Sequence, residues 1–335
     1  MAILKAFQIL KLWRCVVVVG VAALPLNAPA DSSNKVRAAY SSISGIFTPV
    51  WIATEERLYQ KNQLDTDLIF IGGSSAAVSA LVAAEIDFLA GGADPIVSGI
   101  LSGADLAIVG FISNTTPMSL YVAPAISRVE DLKGKTVAVT RFASSTAYMM
   151  RVCLTQFKMD PGQDVPLIQS GGYPESLAAL QSGRVQGAML TPPTTYRAEA
   201  LGFKRIWNGS GIEYPSLVLT TRKSLVKDGS DRAQRFFNSI AEGIHIFRSD
   251  KERALRIMGK YTKVKDRTIL ENTYADNKDV HSPNLRPTAS GVKTILDILA
   301  ASNPTAASAK PEQFIDSSLS RRLEESGAIK KFSQQ

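Results

Sequence analysis

The chain has 335 residues, more than one small domain needs and enough to build two lobes with an adequate core. Hydrophobic residues make up 45% and charged residues 20%, which excludes a disordered or fibrous protein. The net charge of +8 is spread along the sequence, and no basic run interleaves with aromatic residues, so nucleic-acid binding gains little support.

The first thirty residues stand apart. Lys5, Lys11 and Arg14 precede an apolar run over 15–26 that is interrupted by Gly20 and Pro25. Ala28-Pro29-Ala30 then leads into Asp31-Ser32-Ser33. A basic start, a short apolar run and a small-x-small site form the pattern of a secretory signal peptide over 1–30, cleaved after Ala30. A dozen or so apolar residues fall short of the roughly twenty that span a bilayer. A periplasmic location is therefore expected. Cys15 opens the apolar run instead of following it, so no lipid anchor is expected there. Cleavage would leave Cys153 as the lone cysteine, without an intramolecular disulfide, and would lower the net charge from +8 to +5. A mildly positive surface suits an anionic small ligand.

Beyond this segment, short apolar runs alternate with helical patterns, as in α/β sheets. Strands are predicted over 36–40, 64–71, 86–90 and 105–112, with a helix over 49–61 and an Ala-rich helix opened by Gly72-Gly73-Ser74-Ser75. A second series follows Asp131-Leu132-Lys133-Gly134-Lys135. It comprises a strand over 136–140, a polar loop over 141–146 and a helix over 146–158 with Met149, Met150, Cys153, Leu154 and Phe157 at helical spacing. A strand over 165–169, a Gly171-Gly172 turn, a helix and a strand over 185–190 complete it. From Ser230 onward, amphipathic helices are predicted over 231–248, 250–261, 266–278, 289–300 and 312–325, forming a helical tail on the first lobe.

The two series repeat. A shift of about 99 positions lays Gly72-Gly73 on Gly171-Gly172, Ala80-Leu81 on Ala179-Leu180, and the strand over 86–90 on 185–189. Each of those strands ends in a Gly- or Pro-rich loop, Gly91-Gly92-Ala93-Asp94-Pro95 or Thr191-Pro192-Pro193. Two lobes built from one strand–GG–helix–strand unit follow from this. Such units place glycine-rich turns and helix N-termini at the carboxyl ends of strands, where open α/β sheets bind ligands.

Enzyme signatures are scarce. No P-loop, HExxH, nucleophile elbow or metal-spaced Cys/His cluster occurs, so neither metal nor cofactor is expected. His245, inside a helical pattern, is expected to be structural or partly exposed. His281, before Pro283 in a turn-rich stretch, is expected in solvent. What remains is a set of hydroxyl-rich loops: Ser42-Ile43-Ser44-Gly45, Gly72-Gly73-Ser74-Ser75 and Arg141-Phe142-Ala143-Ser144-Ser145-Thr146. In one reading their Ser and Thr side chains cap helices. In another, several helix starts converge into a preformed anion site. Arg141 is either its counter-charge or a surface arginine.

Several segments carry a family resemblance: Trp51-Ile52-Ala53-Thr54-Glu55 with Leu58-Tyr59-Gln60-Lys61-Asn62-Gln63-Leu64, the stretch 73–87, and Asp131–Val139 (131–139). Further on come Gly171-Gly172-Tyr173-Pro174-Glu175-Ser176-Leu177 and Asp250-Lys251-Glu252-Arg253-Ala254-Leu255. In order and spacing the chain resembles the solute-binding proteins of nitrate/sulfonate/taurine ABC import systems, the NMT1/THI5-like group. The resemblance implies an α/β, two-lobed type II periplasmic binding protein fold with a helical C-terminal tail. Its crossovers would run over 118–124 and 215–221, with lobe I over 31–121 and 217–335 and lobe II over 122–216. It also implies ligand contacts at Ser44, Gly45 and Phe47, at Ser74 and Ser75, and at Ser144, Ser145 and Thr146, with Pro193 in the 192–194 loop and Tyr214 as additions, beside the Arg141 already named as a candidate counter-charge. The implied partners are a small-molecule ligand (sulfonate, taurine, nitrate or pyrimidine-like) and a membrane permease with its ATPase, the protein itself being a monomer and no enzyme. One departure stands out: family members often carry glycine at the position of Glu56 or Arg57. The alternatives are a THI5-type pyrimidine synthase, a cytosolic group with a cysteine-rich motif and an active-site histidine, and a binding component of a non-ABC uptake or sensing system.

Overall fold

A computed structural model describes residues 34–228, 231–301 and 303–332. The expected export segment and its cleavage site lie outside the described residues. Strand β1 (Lys35–Tyr40) leads through a 3-10 turn, Gly45–Phe47, into α1 (Thr48–Glu55) and α2 (Leu58–Lys61). Then come β2 (Asp65–Phe70), α3 (Ser74–Val82), β3 (Phe88–Gly91), α4 (Ala93–Leu101) and β4 (Leu106–Thr115). The next stretch holds β5 (Ser119–Val122), β6 (Val137–Val139), α5 (Ser145–Gln156), β7 (Leu167–Gln169), α6 (Tyr173–Gln181), β8 (Gly187–Leu190), α7 (Thr194–Ala200) and β9 (Lys204–Asn208). After β10 (Glu213–Arg222) the chain is helical: α8 (Lys223–Val226), α9 (Arg232–Ser249), α10 (Lys251–Thr262), α11 (Arg267–Lys278), α12 (Ala289–Ala300), α13 (Pro304–Ser308), α14 (Ser318–Glu325) and α15 (Ala328–Phe332).

The strands form two sheets of the same plan, ordered β2-β1-β3-β10-β4 and β7-β6-β8-β5-β9. The first three strands of each run parallel and the fourth runs antiparallel to its neighbours. Helices α3 and α6 begin and end 99 positions apart, as do β3 and β8, so the repeat seen in the sequence is a repeat of structure. The chain passes between the sheets at 116–118 and 209–212. The expected crossovers over 118–124 and 215–221 are largely strand, each committed to one sheet: β5 pairs with β8 and β9, and β10 with β3 and β4. Divisions at 121/122 and 216/217 would cut through those ladders.

Two predicted helices are broken. The helix over 49–61 is interrupted at Arg57, whose φ of 53° is left-handed. A non-glycine residue there costs about 1–2 kcal/mol, which accounts for the glycine that the family resemblance leads one to expect at this point. The helix over 312–325 divides into a 3-10 turn, Pro311–Phe314, and α14. Between them Ile315 is extended and bridges to Ile108 of β4. Strand β9 was not anticipated, because its Lys204 and Arg205 face solvent at the sheet edge and blur the apolar pattern.

The helical tail packs on the first sheet: α9 and α10 on α1, and α12 on α4 and β10. Gly243 of α9 lets the backbones of α9 and α1 come close. A Cβ there would stand 2.4 Å from Pro49 O. Phe236 stacks between Tyr59 and Phe88 at centroid distances of 5.1 and 4.2 Å. Met149, Met150, Cys153 and Leu154 of α5 are buried in one apolar cluster with Val137 and Val139 of the second sheet, and this cluster continues to Ala39, Leu89 and Ile108 of the first. His281 is not in solvent. It is 1% exposed, edge-on to Phe247 at 4.8 Å, with Nε2 2.8 Å from Ile46 O.

Candidate functional site

The turns after β1, β3, β6 and β8 face one another between the two sheets, with the N-termini of α3, α5 and α6. They enclose a chamber lined by Ser41, Ser42, Ile46, Phe47, Gly73, Ser74 and Gly92 on one side. Thr140, Ser144, Ser145, Thr146, Tyr173 and Thr191 line the other, with Thr116, Pro117, Met118 and Ser216 between. The space open to the centre of a water-sized sphere is about 40 Å³, room for roughly three waters. Two flanking chambers share part of its lining. One, of about 170 Å³, is lined by Tyr121, Tyr196, Glu199, Arg205 and Asp276 among others. The other, of about 230 Å³, includes Ile43, Phe70, Gly171 and Glu175.

The repeat pairs the lining. Ser41 and Thr140, Ile46 and Ser145, Phe47 and Thr146, Ser74 and Tyr173, and Gly92 and Thr191 each stand 99 positions apart, and all ten line the central chamber. Ser41/Thr140, Ser74/Tyr173 and Gly92/Thr191 follow or open matching elements, whereas Ile46 and Phe47 lie in the 3-10 turn before α1 and Ser145 and Thr146 open α5.

The sequence-predicted residues divide by location. Phe47, Ser74, Ser144, Ser145 and Thr146 line the central chamber. Ser74 Oγ accepts from Gly92 N at 3.0 Å and pairs with Ser41 Oγ at 3.0 Å, and Thr146 Oγ1 accepts from Thr140 N at 2.9 Å. Ser144 stands at the N-cap of α5 without a side-chain capping bond, so its hydroxyl is left for the chamber. Ser44 and Gly45 clasp the opposite half instead: Ser44 Oγ donates to Pro192 O at 3.1 Å and Gly45 N to the same oxygen at 3.0 Å. Ser75 meets Ser144 only loosely, at 3.5 Å. Arg141 lies across Gly73 and donates from Nε to Gly72 O at 2.6 Å. A side chain at Gly73, whose φ is 87°, would collide with that arginine. Pro193 and Tyr214 are buried behind the lining.

The sequence reading missed Asp94. It is 0% exposed in the first turn of α4, where Oδ2 accepts from Ser145 Oγ at 2.7 Å and from the Tyr214 hydroxyl. Burial, outweighing those hydrogen bonds, pushes its carboxyl up to about 6. Its signal was the Gly-Gly turn after a predicted strand, the loop that the repeat sets beside Thr191-Pro192-Pro193. Burial also pushes the Tyr173 phenol up to about 12.

Residues 45–254 match the family model described as NMT1/THI5 like. The chain belongs to this family. YtlA of Bacillus subtilis (strain 168) is 23% identical over 225 residues, 65% of this chain and 67% of that protein. Among solved structures, a protein of Bordetella bronchiseptica RB50 matches with a TM-score of 0.79 at 21% identity, covering 88% of this chain and 98% of that one. The alkanesulfonate-binding protein SsuA of Xanthomonas axonopodis pv. citri, bound to MOPS, matches with a TM-score of 0.69 at 18% identity over 84% and 95% of the two chains. The periplasmic nitrate-binding protein NrtA of Synechocystis PCC 6803 matches at 0.74 and 15% identity over 88% and 89%. The fold is that of the periplasmic binding proteins.

Proposed function

We propose that this NMT1/THI5-like protein is the exported, periplasmic solute-binding component of an ABC importer. It captures a small polar solute of the sulfonate, taurine, nitrate or pyrimidine-like classes and delivers it to a membrane permease with its ATPase. One observation carries the reading: a small polar chamber built from matching turns of two sheets and closed by hydrogen bonds between them. The two sheets with their helices are the lobes, the first discontinuous and the second continuous, and the passages at 116–118 and 209–212 act as the hinge. Solute that contacts both lobes binds the closed arrangement more tightly and shifts the population toward it. The groups on hand are hydroxyls, backbone amides and aromatic edges, which hold a polar solute by hydrogen bonds. Cys153 is buried, with its thiol pushed up to about 12, which unsuits it to nucleophilic chemistry.

Mass spectrometry of small molecules carried through purification tests the reading directly. A solute at one hundred times its Kd stabilises the folded protein by about 2.7 kcal/mol. If sulfonates, taurine, nitrate and pyrimidines all leave the melting temperature unchanged, these ligand classes are wrong. The exported chain should begin at Asp31; recovery of Met1 would contradict export.

A further inference from the structure

Four hydroxyls at the cleft have acceptors that fix where their hydrogens lie. Ser44 commits its hydrogen to Pro192 O, Thr191 donates to Ser44 Oγ at 2.9 Å, and Ser145 donates to Asp94 Oδ2 at 2.7 Å. Tyr214 donates to the same Asp94 oxygen. Each hydroxyl has a single hydrogen, so Ser145, which lines the chamber, turns lone pairs toward it. Behind it, Asp94 forms no ion pair with Lys, Arg or His among the described residues, and its Oδ1 is buried without a hydrogen-bond partner. The carboxylate already occupies the first turn of α4, compensating that helix's positive end. In the flanking chamber Tyr121 likewise donates to Glu199 and Tyr196 to Asp276, both at 2.5 Å, beside the cation Arg205.

We infer that Asp94 sets the specificity of the cleft. By holding Ser145 and Tyr214 as inward donors, it makes the chamber select a solute that carries an N–H donor, an ammonium or an amino-heterocycle, over acceptor-only anions of similar size. The inference rests on the solute-binding reading above and narrows it. Asp94 is a positioning residue that acts through Ser145. An oxyanion would meet the Ser145 lone pairs with a buried negative charge behind them, whereas an N–H group would find an acceptor. A site built to pair a donor discriminates against the analogue that lacks it.

The test is calorimetric titration of the whole protein with matched pairs: taurine against ethanesulfonate, 4-aminopyrimidine against pyrimidine, and nitrate alone. The N–H-bearing member of at least one pair should bind about tenfold or more tightly than its partner. In Asp94→Asn and in Ser145→Ala that ratio should fall to about threefold or less, with the variants still melting cooperatively. Should Asp94→Asn fail to fold, Ser145→Ala decides alone. Acceptor-only members that bind as tightly as their partners, or a ratio unchanged in the variants, would overturn the role of Asp94 and leave solute capture standing. No binding by any of the five compounds would overturn both.

Discussion

Ser145, at the start of α5 on the second sheet, donates to Asp94, at the start of α4 on the first, across 2.7 Å. The contact spans the cleft, because its two ends ride on different sheets, and in the hinge motion proposed above it would form only on closure. Thr191 to Ser44, Arg141 to Gly72 and Tyr196 to Asp276 work in the same way. The two halves are thus held together across the cleft by several hydrogen bonds of about 1–3 kcal/mol each, three of them made by an Asp or Arg side chain, a sum against which solute contacts would act in the hinge motion proposed above.

Gly92→Ala should keep the cleft from closing. A Cβ there would stand 1.9 Å from Ser145 Oγ and 3.2 Å from Ser145 Cβ, both on the opposite half. The severe strain lies across the cleft, Ser74 Oγ of the same half standing at 3.3 Å, so affinity for any bound solute should fall about ten- to a hundredfold while the ligand-free melting temperature falls less. Titration paired with thermal melts checks it; an unaltered affinity would show that the cleft closes differently.

Replacing Ser74 and Ser144 together with alanine should weaken binding more than folding. Neither α3 nor α5 receives a side-chain capping bond from its N-cap residue, so the folding cost is confined to the Gly92 N–H that Ser74 leaves unpaired, about 1–3 kcal/mol, and Ser144→Ala alone should cost little stability. Equal losses in affinity and in stability would restore the capping role.

His281 makes stability fall with acid. Burial lowers its folded pKa from 6.5 to about 4, outweighing its backbone hydrogen bond to Ile46. Between those values the unfolded chain binds a proton that the folded chain refuses. The stabilisation is complete above about 6.5, declines as pH drops through the window, and levels off below about 4. Asp94 runs the other way: its folded value of about 6 lies above the ordinary 3.8, so its contribution falls as pH rises from 3.8 to 6. Thermal melts at pH 7, 5.5 and 4.5 (about the window's top, middle and floor) should therefore show a shallower acid decline in His281→Gln than in the parent. An identical slope would exclude His281 as the cause.

Phe236→Ala should cost about 3–5 kcal/mol, because it empties the space between Tyr59 and Phe88 beneath α9. Urea unfolding measures it. A loss under 1 kcal/mol would mean that the surrounding helices collapse into the gap.

Much of this was legible in the chain itself. Apolar runs and Gly-Gly turns located most strands within two or three residues, and the 99-residue shift anticipated two sheets of one plan. Applied loop by loop, the same shift pairs Ser41 with Thr140 and Ser74 with Tyr173, so five of the seventeen lining residues could have been found from their partners. Arg57 and Ile315 escaped because a left-handed residue and a single extended one leave no trace in hydrophobic periodicity. His281 escaped because its burial comes from Phe247 and Ile46, remote in sequence.

Local composition and spacing determined the α/β class, the repeat and the set of hydroxyl-bearing loops, since those depend on neighbours along the chain. Only the tertiary structure decided which hydroxyls line the cleft, which clasp the opposite half, and where their hydrogens point. That direction depends on acceptors such as Asp94 and Pro192 O, which lie 51 and 148 positions from the serines they bind and reach them only once both sheets have closed.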